Sequence, residues 1–333
     1  MIQTDDDLRT GGIPALEASL SIDMVTSRLA PFLGGSGGLR VVAVDLVSHK
    51  PGKRAVIAYQ MAGPSGEARA LIGKVYADAE RAERLHNTLE QLGALDVPSG
   101  VFGVPRAVAL FRDWGMSVQE SACGRSIDQL DGRERIDGAT AVGHWLATFQ
   151  RSEIAFDRTL NLDSERRNLG AWADLVSEDQ PAVALKTARL LEQLIRLGDE
   201  VEVSIGIPMH KDFQYQHTLV DGNRVVVIDV DEARAGDAAL DVAHFCAYLR
   251  LLALREGTPR DGMAPVESAF LDAYASSVPY QPDSRHRFFL AYACMKIAKQ
   301  LVRGRGPTPA PHGAELTRQL ELIIEEGLRC SAG

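Results

Sequence analysis

Three aspartates flank a short predicted β-hairpin in the second half of the chain. Asp212 precedes the hairpin, and Asp229 and Asp231 follow its second strand, the apolar run of residues 225–228. Asp221-Gly222-Asn223, before that run, has the composition of a tight turn. Such a turn brings the two ends of the hairpin together, and converging carboxylates repel one another unless a cation or a proton lies between them. The spacing therefore indicates a divalent metal site or general-base chemistry.

His217 opens the first strand of the hairpin, predicted at 217–220. We therefore expect its side chain near Asp212 and Asp229, at the same edge of the hairpin. The alternative is a segment without chemistry, in which Asp212 caps a turn and Asp229 ends a strand that faces solvent.

The order of these residues resembles the catalytic segment of the aminoglycoside phosphotransferase-like family, a branch of the protein-kinase-like fold that includes choline, homoserine and sugar kinases. That segment carries His-x-Asp-x-x-x-x-Asn, a hairpin, a metal-binding Asp and often Gly-Asp-x-x-x-Asp at a helix start. The matching residues here are His210-Lys211-Asp212, Asp229-Val230-Asp231 and Gly236-Asp237-Ala238-Ala239-Leu240-Asp241. One position departs from the family pattern, because His217 stands in the place of the Asn. Only residues 209–241 carry a specific resemblance.

The resemblance implies that Asp212 accepts the proton of the attacking hydroxyl, while Asp229 holds Mg²⁺, with Asp231 as a second contributor. His217 is a third candidate at the metal, but it offers nitrogen where Mg²⁺ prefers oxygen. The hypothesis is that Asp229, Asp231 and water carry the ion, while neutral His217 bonds to Asp212 or to water. The same departure supports an alternative function, a catalytically impaired pseudokinase-like module that binds a nucleotide or a partner.

Four neighbouring residues have less direct expected roles. His210 would fix the loop through packing and hydrogen bonds. Asp237 and Asp241 stand at a helix start, where carboxylates cap free N–H groups, and are interpreted as structural. Lys211 would either approach the transferred phosphate or remain solvated.

Lys74 interrupts the apolar run Leu71-Ile72-Gly73-Lys74-Val75-Tyr76. A lysine inside a buried strand needs an anion. The resemblance implies that Lys74 binds the α- and β-phosphates of the nucleotide and pairs with a glutamate on the next helix. Glu83 borders the apolar stripe of that helix and is the preferred partner, with Glu80 and Glu90 as alternatives. If the strand lay at a sheet edge, Lys74 would face solvent instead.

Two further segments are candidates for nucleotide contact. The basic turn at 49–54 lies where kinase-like enzymes have a glycine-rich loop, and its Lys50 and Lys53 could hold phosphate oxygens. A solvated basic turn is an equal alternative. A strand that would connect two lobes supplies the remaining candidates, Gln119, Glu120 and Ala122.

Hydrophobic periodicity predicts an α+β chain with the element order of the two-lobed protein-kinase-like fold. The predicted strands are at 39–47, 54–61, 68–76, 103–110 and 116–120, with one helix at 78–92. The predicted later helices are at 139–151, 185–199, 237–254, 266–275, 285–302 and 314–328. The expected domains are a leader at 1–38, a nucleotide-binding β-rich N-lobe at 39–122 and a helical C-lobe at 123–333. Within the leader we expect a mobile or loosely docked segment at 1–20, a short helix at 21–32 and a glycine-rich joint at 34–38.

Composition is that of an ordinary soluble globular protein, with 333 residues, 45% of them hydrophobic and 24% charged. The net charge of −9 argues against nucleic acid as the main partner. No apolar run approaches the ~20 residues of a membrane span, and the acidic first ten residues do not resemble a signal peptide. Four widely spaced cysteines are typical of reduced thiols in a cytoplasmic protein. No pattern indicates the oligomeric state.

The expected function is transfer of the γ-phosphate of ATP or GTP, with Mg²⁺, to a hydroxyl of an aminoglycoside, a sugar or amino sugar, or an amino alcohol. A P-loop ATPase is not supported, because the chain has no Gly-x-x-x-x-Gly-Lys-Ser/Thr motif. Substrate choice would lie in the helices after residue 126. Acidic residues there, such as Asp157, Asp163 or Glu267, could bind a cation or simply face solvent.

Overall fold

The computed structural model describes residues 11–33, 38–64, 66–95, 102–304 and 311–332. The chain divides into two compact units, Met1–Asp96 with Gly103–Cys123, and Val97–Phe102 with Gly124–Gly333. The first unit is built on a β-sheet and the second mainly on helices, as expected for an α+β chain. Within the described ranges, no helix is both long and apolar enough to cross a bilayer.

An antiparallel five-stranded sheet organises the first unit. The strands up to residue 120 are β1 Arg40–Lys50, β2 Arg54–Ala62, β3 Ala68–Tyr76, β4 Phe102–Gly103, β5 Ala107–Phe111 and β6 Met116–Glu120. The sheet has the order β1-β2-β3-β6-β5, so β3 lies at its centre. Alternate residues of β2, Ala55, Ile57 and Tyr59, are fully buried, since successive side chains of a strand point to opposite faces. Because β3 lies at the centre of the sheet and not at its edge, the alternative in which Lys74 faces solvent from an edge strand is wrong.

Two short helices, α1 Leu16–Leu20 and α2 Ile22–Leu29, cover part of this sheet. Ile13, Val25 and Leu29 are fully buried in one core cluster with the strands. The Tyr59 hydroxyl on β2 also donates to the Ser19 carbonyl at 2.8 Å. The expectation of a loosely docked segment at 1–20 is wrong for residues 11–20, because their apolar side chains join the core of the first unit. The short helix expected at 21–32 is present as α2 and the 3₁₀ turn Ala30–Phe32 that follows it. Residues 1–10 and 34–37, which include most of the expected joint, lie outside the described residues.

Helix α3, Ala79–Gly93, follows β3 as predicted. The Asp78 side chain accepts a hydrogen bond from the Glu80 N–H and so caps the helix. Ala82, Leu85, Leu89 and Leu92 form the predicted buried stripe. The helix therefore presents its glutamates away from that stripe.

The helices of the second unit mostly match the predicted segments. They are α4 Gly132–Gln150, α5 Leu162–Asp179, α6 Ala184–Glu200, α7 Ala238–Arg255, α8 Ala264–Ala275, α9 Ser284–Val302 and α10 Gly313–Ala332. Helix α5 was not predicted, although Asn161 caps it by accepting from the Ser164 N–H at 2.8 Å. Its buried residues Leu169, Ala173 and Val176 have helical spacing. Residues 305–310 of the expected final loop lie outside the described residues.

Short strands position the predicted hairpin in the second unit. They are β7 Ile207–Met209, β8 Thr218–Asp221, β9 Arg224–Val227 and β10 Arg234–Gly236. Strands β8 and β9 pair in an antiparallel hairpin closed by Gly222 and Asn223, where Gly222 has a φ of 59°. Strand β7 pairs with β10 and ends at Met209, directly before the segment with the candidate catalytic residues.

Candidate active site

His210 anchors the loop that leads into the hairpin. Its imidazole is fully buried, and its Nε2 lies 2.9 Å from the Ile228 carbonyl, which can only accept. Nε2 therefore carries the proton, and Nδ1 accepts from the Asp212 N–H at 3.3 Å. Burial lowers the pKa of His210 to about 4, so the ring is neutral. These contacts match the loop-fixing role expected for this residue.

Asp241 fixes the same loop from helix α7. Its two carboxylate oxygens accept hydrogen bonds from the His210 and Lys211 N–H groups at 2.6 and 2.8 Å. Burial raises the pKa of Asp241 to about 7, against the opposing effect of these two donors. Asp237 caps the helix, accepting from the Ala239 N–H at 2.9 Å. Both aspartates thus have structural contacts, as expected: Asp237 caps the helix, and Asp241 anchors the loop.

Lys211 adopts a left-handed backbone conformation, with a φ of 70°. Its ammonium donates to Glu165 Oε1 on α5 at 2.5 Å. The other oxygen of Glu165 accepts from the Tyr292 hydroxyl at 2.5 Å and from Asn168 at 3.2 Å. Burial alone would raise the pKa of Glu165, but the Lys211 charge and the three donors hold it below its ordinary value. The expected alternative of a solvated Lys211 is wrong, because a buried carboxylate holds its side chain.

Asp212 is held by a lysine of helix α9. Lys296 Nζ donates to Asp212 Oδ1 at 2.8 Å and to the Lys211 carbonyl at 3.0 Å. Burial alone would raise the pKa of Asp212, but the charge and the hydrogen bond of Lys296 hold it well below its usual range. The carboxylate is therefore ionised at neutral pH. Within the described residues no donor lies within hydrogen-bond distance of Oδ2, so this oxygen can accept a further proton donor.

His217 bonds to the backbone of Asp212 and not to its carboxylate. Its Nδ1 lies 2.8 Å from the Asp212 carbonyl and 3.8 Å from Asp212 Oδ2. Because a carbonyl only accepts, Nδ1 is the donor in this bond, which in the neutral ring leaves the electron pair on Nε2. That Nε2 lies 3.9 Å from Asp229 Oδ2 and 3.4 Å from the Gln214 amide nitrogen. The ring thus presents a nitrogen ligand atom towards Asp229.

A candidate metal-binding cluster forms from Asp212, His217 and Asp229. One ligand atom from each of the three lies within 4.8 Å of the others. Asp229 reaches this position because its φ of 61° turns the chain directly after β9. Two carboxylate oxygens and an unprotonated imidazole nitrogen are suitable ligands for a divalent cation. Asp231 is not part of the cluster, because it lies in the following 3₁₀ turn, Val230–Glu232.

A cavity of about 210 Å³ opens beside Asp212. Helices α5 and α9, the loop with Lys211 and Asp212, and the turn with Glu232 supply its walls. The lining residues are Glu165, Asn168, Trp172, Lys211, Asp212, Glu232, Tyr292, Lys296 and Gln300. The indole of Trp172 lies 5.5 Å from the Tyr292 ring, and Lys299 Nζ lies 4.6 Å from the Trp172 ring centre. This cavity provides space for a small molecule next to the free oxygen of Asp212.

The acidic residues expected to recognise a cationic substrate do not line this cavity. Asp157 and Asp163 are exposed, and Glu267 is engaged by Arg250 at 2.7 Å.

The first unit holds the candidate nucleotide-binding residues. Lys74 is 5% exposed in the central strand β3. Glu83 does not serve as its partner, because the Glu83 carboxylate is engaged by Arg112 Nη2 at 2.7 Å. That prediction is wrong since Glu83 lies outside the buried stripe of α3 and reaches the 3₁₀ turn Arg112–Trp114.

The remaining nucleotide candidates occupy a hairpin turn and a strand end. Lys50 is the last residue of β1, and exposed Lys53 precedes β2. Gln119 is buried in β6, whereas Glu120 pairs with Arg106 at 2.7 Å and Ala122 follows the strand.

Several residues of the site were missed at the sequence level. Lys296 stands in the apolar stretch Cys294-Met295-Lys296-Ile297-Ala298, so the reasoning that identified Lys74 applies to it equally. Glu165, Asn168 and Trp172 were missed with helix α5, which carries them. His244 lies with Nε2 3.9 Å from Asp212 Oδ1, and burial lowers its pKa well below its ordinary value. No sequence pattern relates His244 to Asp212, because only the packing of α7 brings them together.

Comparison with known structures shows the protein-kinase-like fold. The choline kinase LicA from Streptococcus pneumoniae has a TM-score of 0.61 at 13% identity, covering 92% of this chain and 98% of that chain. The amicoumacin kinase hAmiN, in complex with AMP-PNP, Ca²⁺ and Ami, has a TM-score of 0.60 at 13% identity, covering 94% of each chain. ADP-bound aminoglycoside phosphotransferase APH(2'')-Ib has a TM-score of 0.52 at 12% identity, covering 92% of this chain and 99% of that chain.

Sequence comparison gives a family but no individual relative. No curated protein matches the chain significantly. Residues 65–275 match the model of the phosphotransferase enzyme family, APH. Since this match extends over more than half of the sequence and includes the β8–β9 hairpin, the chain belongs to the phosphotransferase enzyme family and is an enzyme that transfers phosphoryl groups.

Proposed function

We propose that the chain is a small-molecule kinase that transfers the γ-phosphoryl group of ATP or GTP to a hydroxyl group. The observation that carries this proposal is the state of Asp212. Its carboxylate is ionised, one oxygen is fixed by Lys296, and the other is available beside a cavity of about 210 Å³. An ionised carboxylate with one free oxygen is the group that a hydroxyl nucleophile requires.

In the proposed step, Asp212 Oδ2 orients the acceptor hydroxyl and takes its proton. The hydroxyl oxygen forms a bond to the γ-phosphorus, and the bond from that phosphorus to the β,γ-bridging oxygen breaks, which releases ADP or GDP. Lys296 keeps Asp212 in place through Oδ1, and His210 and Asp241 keep the loop in place through its backbone. Because these contacts exist before an acceptor binds, little reorganisation is needed during the reaction.

A divalent cation fits the cluster of Asp212, His217 and Asp229, whose donors are two carboxylates and an imidazole nitrogen. When bound, it would neutralise charge on the nucleotide phosphates. We propose Asp229 and His217 as its ligands, with Mg²⁺ or a similar divalent ion as the metal. Asp212 would remain the group that receives the proton.

Lys74 is the proposed contact for the nucleotide phosphates, because it is a buried lysine in the central strand β3, where the family resemblance places the phosphate-binding lysine. Lys50 and Lys53 are proposed to assist it, and the backbone around Gln119, Glu120 and Ala122 to contact the base. None of these residues distinguishes ATP from GTP. Two solved structures of similar fold were obtained with AMP-PNP or ADP, which supports an adenine nucleotide as the first donor to test.

The acceptor is proposed to be a sugar, an amino sugar, an aminoglycoside or an amino alcohol.

The proposed location is the cytoplasm. The four cysteines are free thiols and two of them are buried, which is typical of a protein in a reducing compartment.

The test is a panel of small hydroxyl compounds incubated with ATP or GTP and a divalent metal, with detection of phosphorylated products by mass spectrometry. Asp212→Asn is expected to lower kcat by about 10²–10⁴-fold while nucleotide binding, followed by calorimetry, stays intact. Arg133→Ala, an exposed change in α4, serves as the matched control. If the protein bound nucleotide but Asp212→Asn turned over at the wild-type rate, the proposed catalytic role would be wrong. If no acceptor were ever phosphorylated, the pseudokinase-like alternative would replace the proposal.

A further inference from the structure

The carboxylates that line the cavity are each neutralised by a cation of the chain. Glu165 is paired with Lys211 at 2.5 Å, and Asp212 with Lys296 at 2.8 Å. Glu232 is paired with Arg234 at 2.6 Å. A polycationic acceptor needs carboxylates whose charge is not yet balanced. None of the described acidic residues that line this cavity meets that condition.

The two lysines, in contrast, retain unused hydrogen-bond donors. An ammonium group has three N–H donors. Within the described residues, Lys211 Nζ uses one of them, on Glu165, and Lys296 Nζ uses two, on Asp212 and on the Lys211 carbonyl. Glu165 has little such reserve, because Lys211, Tyr292 and Asn168 occupy three of its about four acceptor positions. Apart from the free oxygen of Asp212, which the proposed function gives to the hydroxyl, the cavity therefore offers the N–H donors of the two lysines.

The aromatic wall does not favour a cation either. Recognition of a quaternary ammonium group relies on aromatic faces that are open to it. Lys299 Nζ already lies 4.6 Å from the centre of the Trp172 ring, and the Tyr292 hydroxyl is bonded to Glu165. A cationic ligand at Trp172 would meet the ammonium of Lys299, whereas an anionic ligand would be attracted by it.

The backbone of Lys211 indicates that its side chain has a function. Its φ of 70° lies in the left-handed region, where a non-glycine residue is strained by about 1 kcal/mol. Glycine would adopt this backbone conformation without strain. The presence of lysine instead indicates that its side chain has a role at this position.

We propose that the acceptor is a small molecule that carries an anionic group, a carboxylate or a phosphate, in addition to the reacting hydroxyl. The anionic group lies against Lys211, and the hydroxyl lies against Asp212 Oδ2. The cavity of about 210 Å³ is smaller than the ~300–1,000 Å³ of sites for drug-sized ligands, which favours an acceptor of a few carbon atoms. This inference rests on the proposed kinase function. Among the acceptor classes named there, it keeps sugar-like hydroxyl compounds that carry an anionic group and replaces the cationic amines.

The experiment compares four three-carbon acceptors that differ in one group: glycerate, glycerol 3-phosphate, glycerol and 3-amino-1,2-propanediol. Each is incubated with nucleotide and divalent metal, and kcat/KM is determined from the phosphorylated product. A small-molecule cell extract is incubated in parallel, and the charge class of every compound that becomes phosphorylated is identified by mass spectrometry. We expect at least one anionic compound to exceed its neutral and cationic counterparts by 10-fold or more. The glycerate and glycerol 3-phosphate arms distinguish carboxylate from phosphate recognition.

Lys211→Gly tests the proposed anchor directly. It removes the ammonium and relieves the backbone, so we expect KM for the anionic acceptor to rise by 10-fold or more, and by a clearly larger factor than KM for glycerol. The double variant Lys211→Gly/Glu165→Gln controls for folding, because it leaves no buried carboxylate without a cation. Lys186→Met, which removes a lysine paired with Glu321 and Glu325, is the matched control outside the cavity.

The outcomes separate the two levels of the proposal. If only cationic compounds were phosphorylated, or if Lys211→Gly left KM for the anionic acceptor unchanged, the charge class would be wrong while the kinase function stood. If no compound of the panel or the extract were phosphorylated, the kinase function itself would be refuted, and this inference with it.

Discussion

Replacing Lys296 by methionine should destabilise the protein and inactivate it together. The Lys296 ammonium lies 2.8 Å from Asp212 Oδ1, and the two side chains are 13% and 24% exposed. At an effective dielectric constant of about 20, two unit charges at that distance attract by about 6 kcal/mol. Desolvation offsets part of this attraction, and removing one partner of a buried pair typically costs about 3–5 kcal/mol. We take about 3 kcal/mol as the expected loss, because Asp212 keeps some access to water.

The assay is a double-mutant cycle on the free energy of unfolding, measured with urea. Lys296→Met should lose about 3 kcal/mol, whereas Lys296→Met/Asp212→Asn should recover a large part of that loss, since no charge is then left alone. The kcat of Lys296→Met should fall by at least 10²-fold, because Asp212 loses both its position and the cation that keeps it ionised. Lys296→Arg retains the charge and should keep more activity than Lys296→Met.

Lys186→Met is the control for the loss of a lysine ion pair at the surface, and its unfolding curve should match that of the wild type. A Lys296→Met protein with wild-type stability and wild-type kcat would refute the reasoning. It would mean that water alone supports the Asp212 carboxylate.

Three further changes test other parts of the structure. Leu29→Ala should lower the free energy of unfolding by about 2–5 kcal/mol, measured in urea, because Leu29 is fully buried against the sheet; a loss below about 1 kcal/mol would contradict the docking of residues 11–33. His217→Asn should preserve or raise Mg²⁺-dependent turnover and weaken Mn²⁺ binding followed by electron paramagnetic resonance, because it exchanges a nitrogen ligand for an oxygen; abolished turnover in a folded protein would give the histidine a chemical role. Burial lowers the pKa of His286 to about 4, so the folded state keeps a neutral ring that the unfolded chain protonates below about 6.5. The neutral His286 ring therefore contributes to the free energy of unfolding in full above pH 6.5. This contribution is lost as the pH falls towards 4, by up to about 3 kcal/mol. Urea titrations at stepwise lower pH should therefore show a steeper loss for the wild type than for His286→Gln, and equal slopes would contradict this assignment.

The β8–β9 hairpin and its flanking aspartates could be predicted because the sequence signal for them is local. The turn residues, the apolar run of β9 and the aspartates at fixed spacing all lie within about thirty residues. Lys74 could be predicted for a similar reason, since a lysine in an apolar strand is unusual in itself. For both, neighbours in sequence are also neighbours in space.

The partners of these residues could not be found in the same way. Lys296 is 84 residues from Asp212, and Glu165 is 46 residues from Lys211. Such pairs depend on how α5 and α9 pack against the loop, which no sequence period encodes. The same difficulty applies to Glu83. The buried stripe of α3 was predicted correctly, but the partner of Glu83 is Arg112 and not Lys74. The leader was misjudged since its apolar residues are few and find their partners only on the sheet.

The anchoring of the catalytic loop has a consequence for how this enzyme could evolve. Asp241 on α7 and Lys296 on α9 hold the loop and Asp212, and Glu165 on α5 holds Lys211 of the same loop. Trp172, also on α5, lines the cavity beside Tyr292 and Lys299. Under the proposed function, substitutions at Trp172 would reshape the cavity wall while these loop anchors stay in place, which makes this position the starting point for directed evolution towards new acceptors.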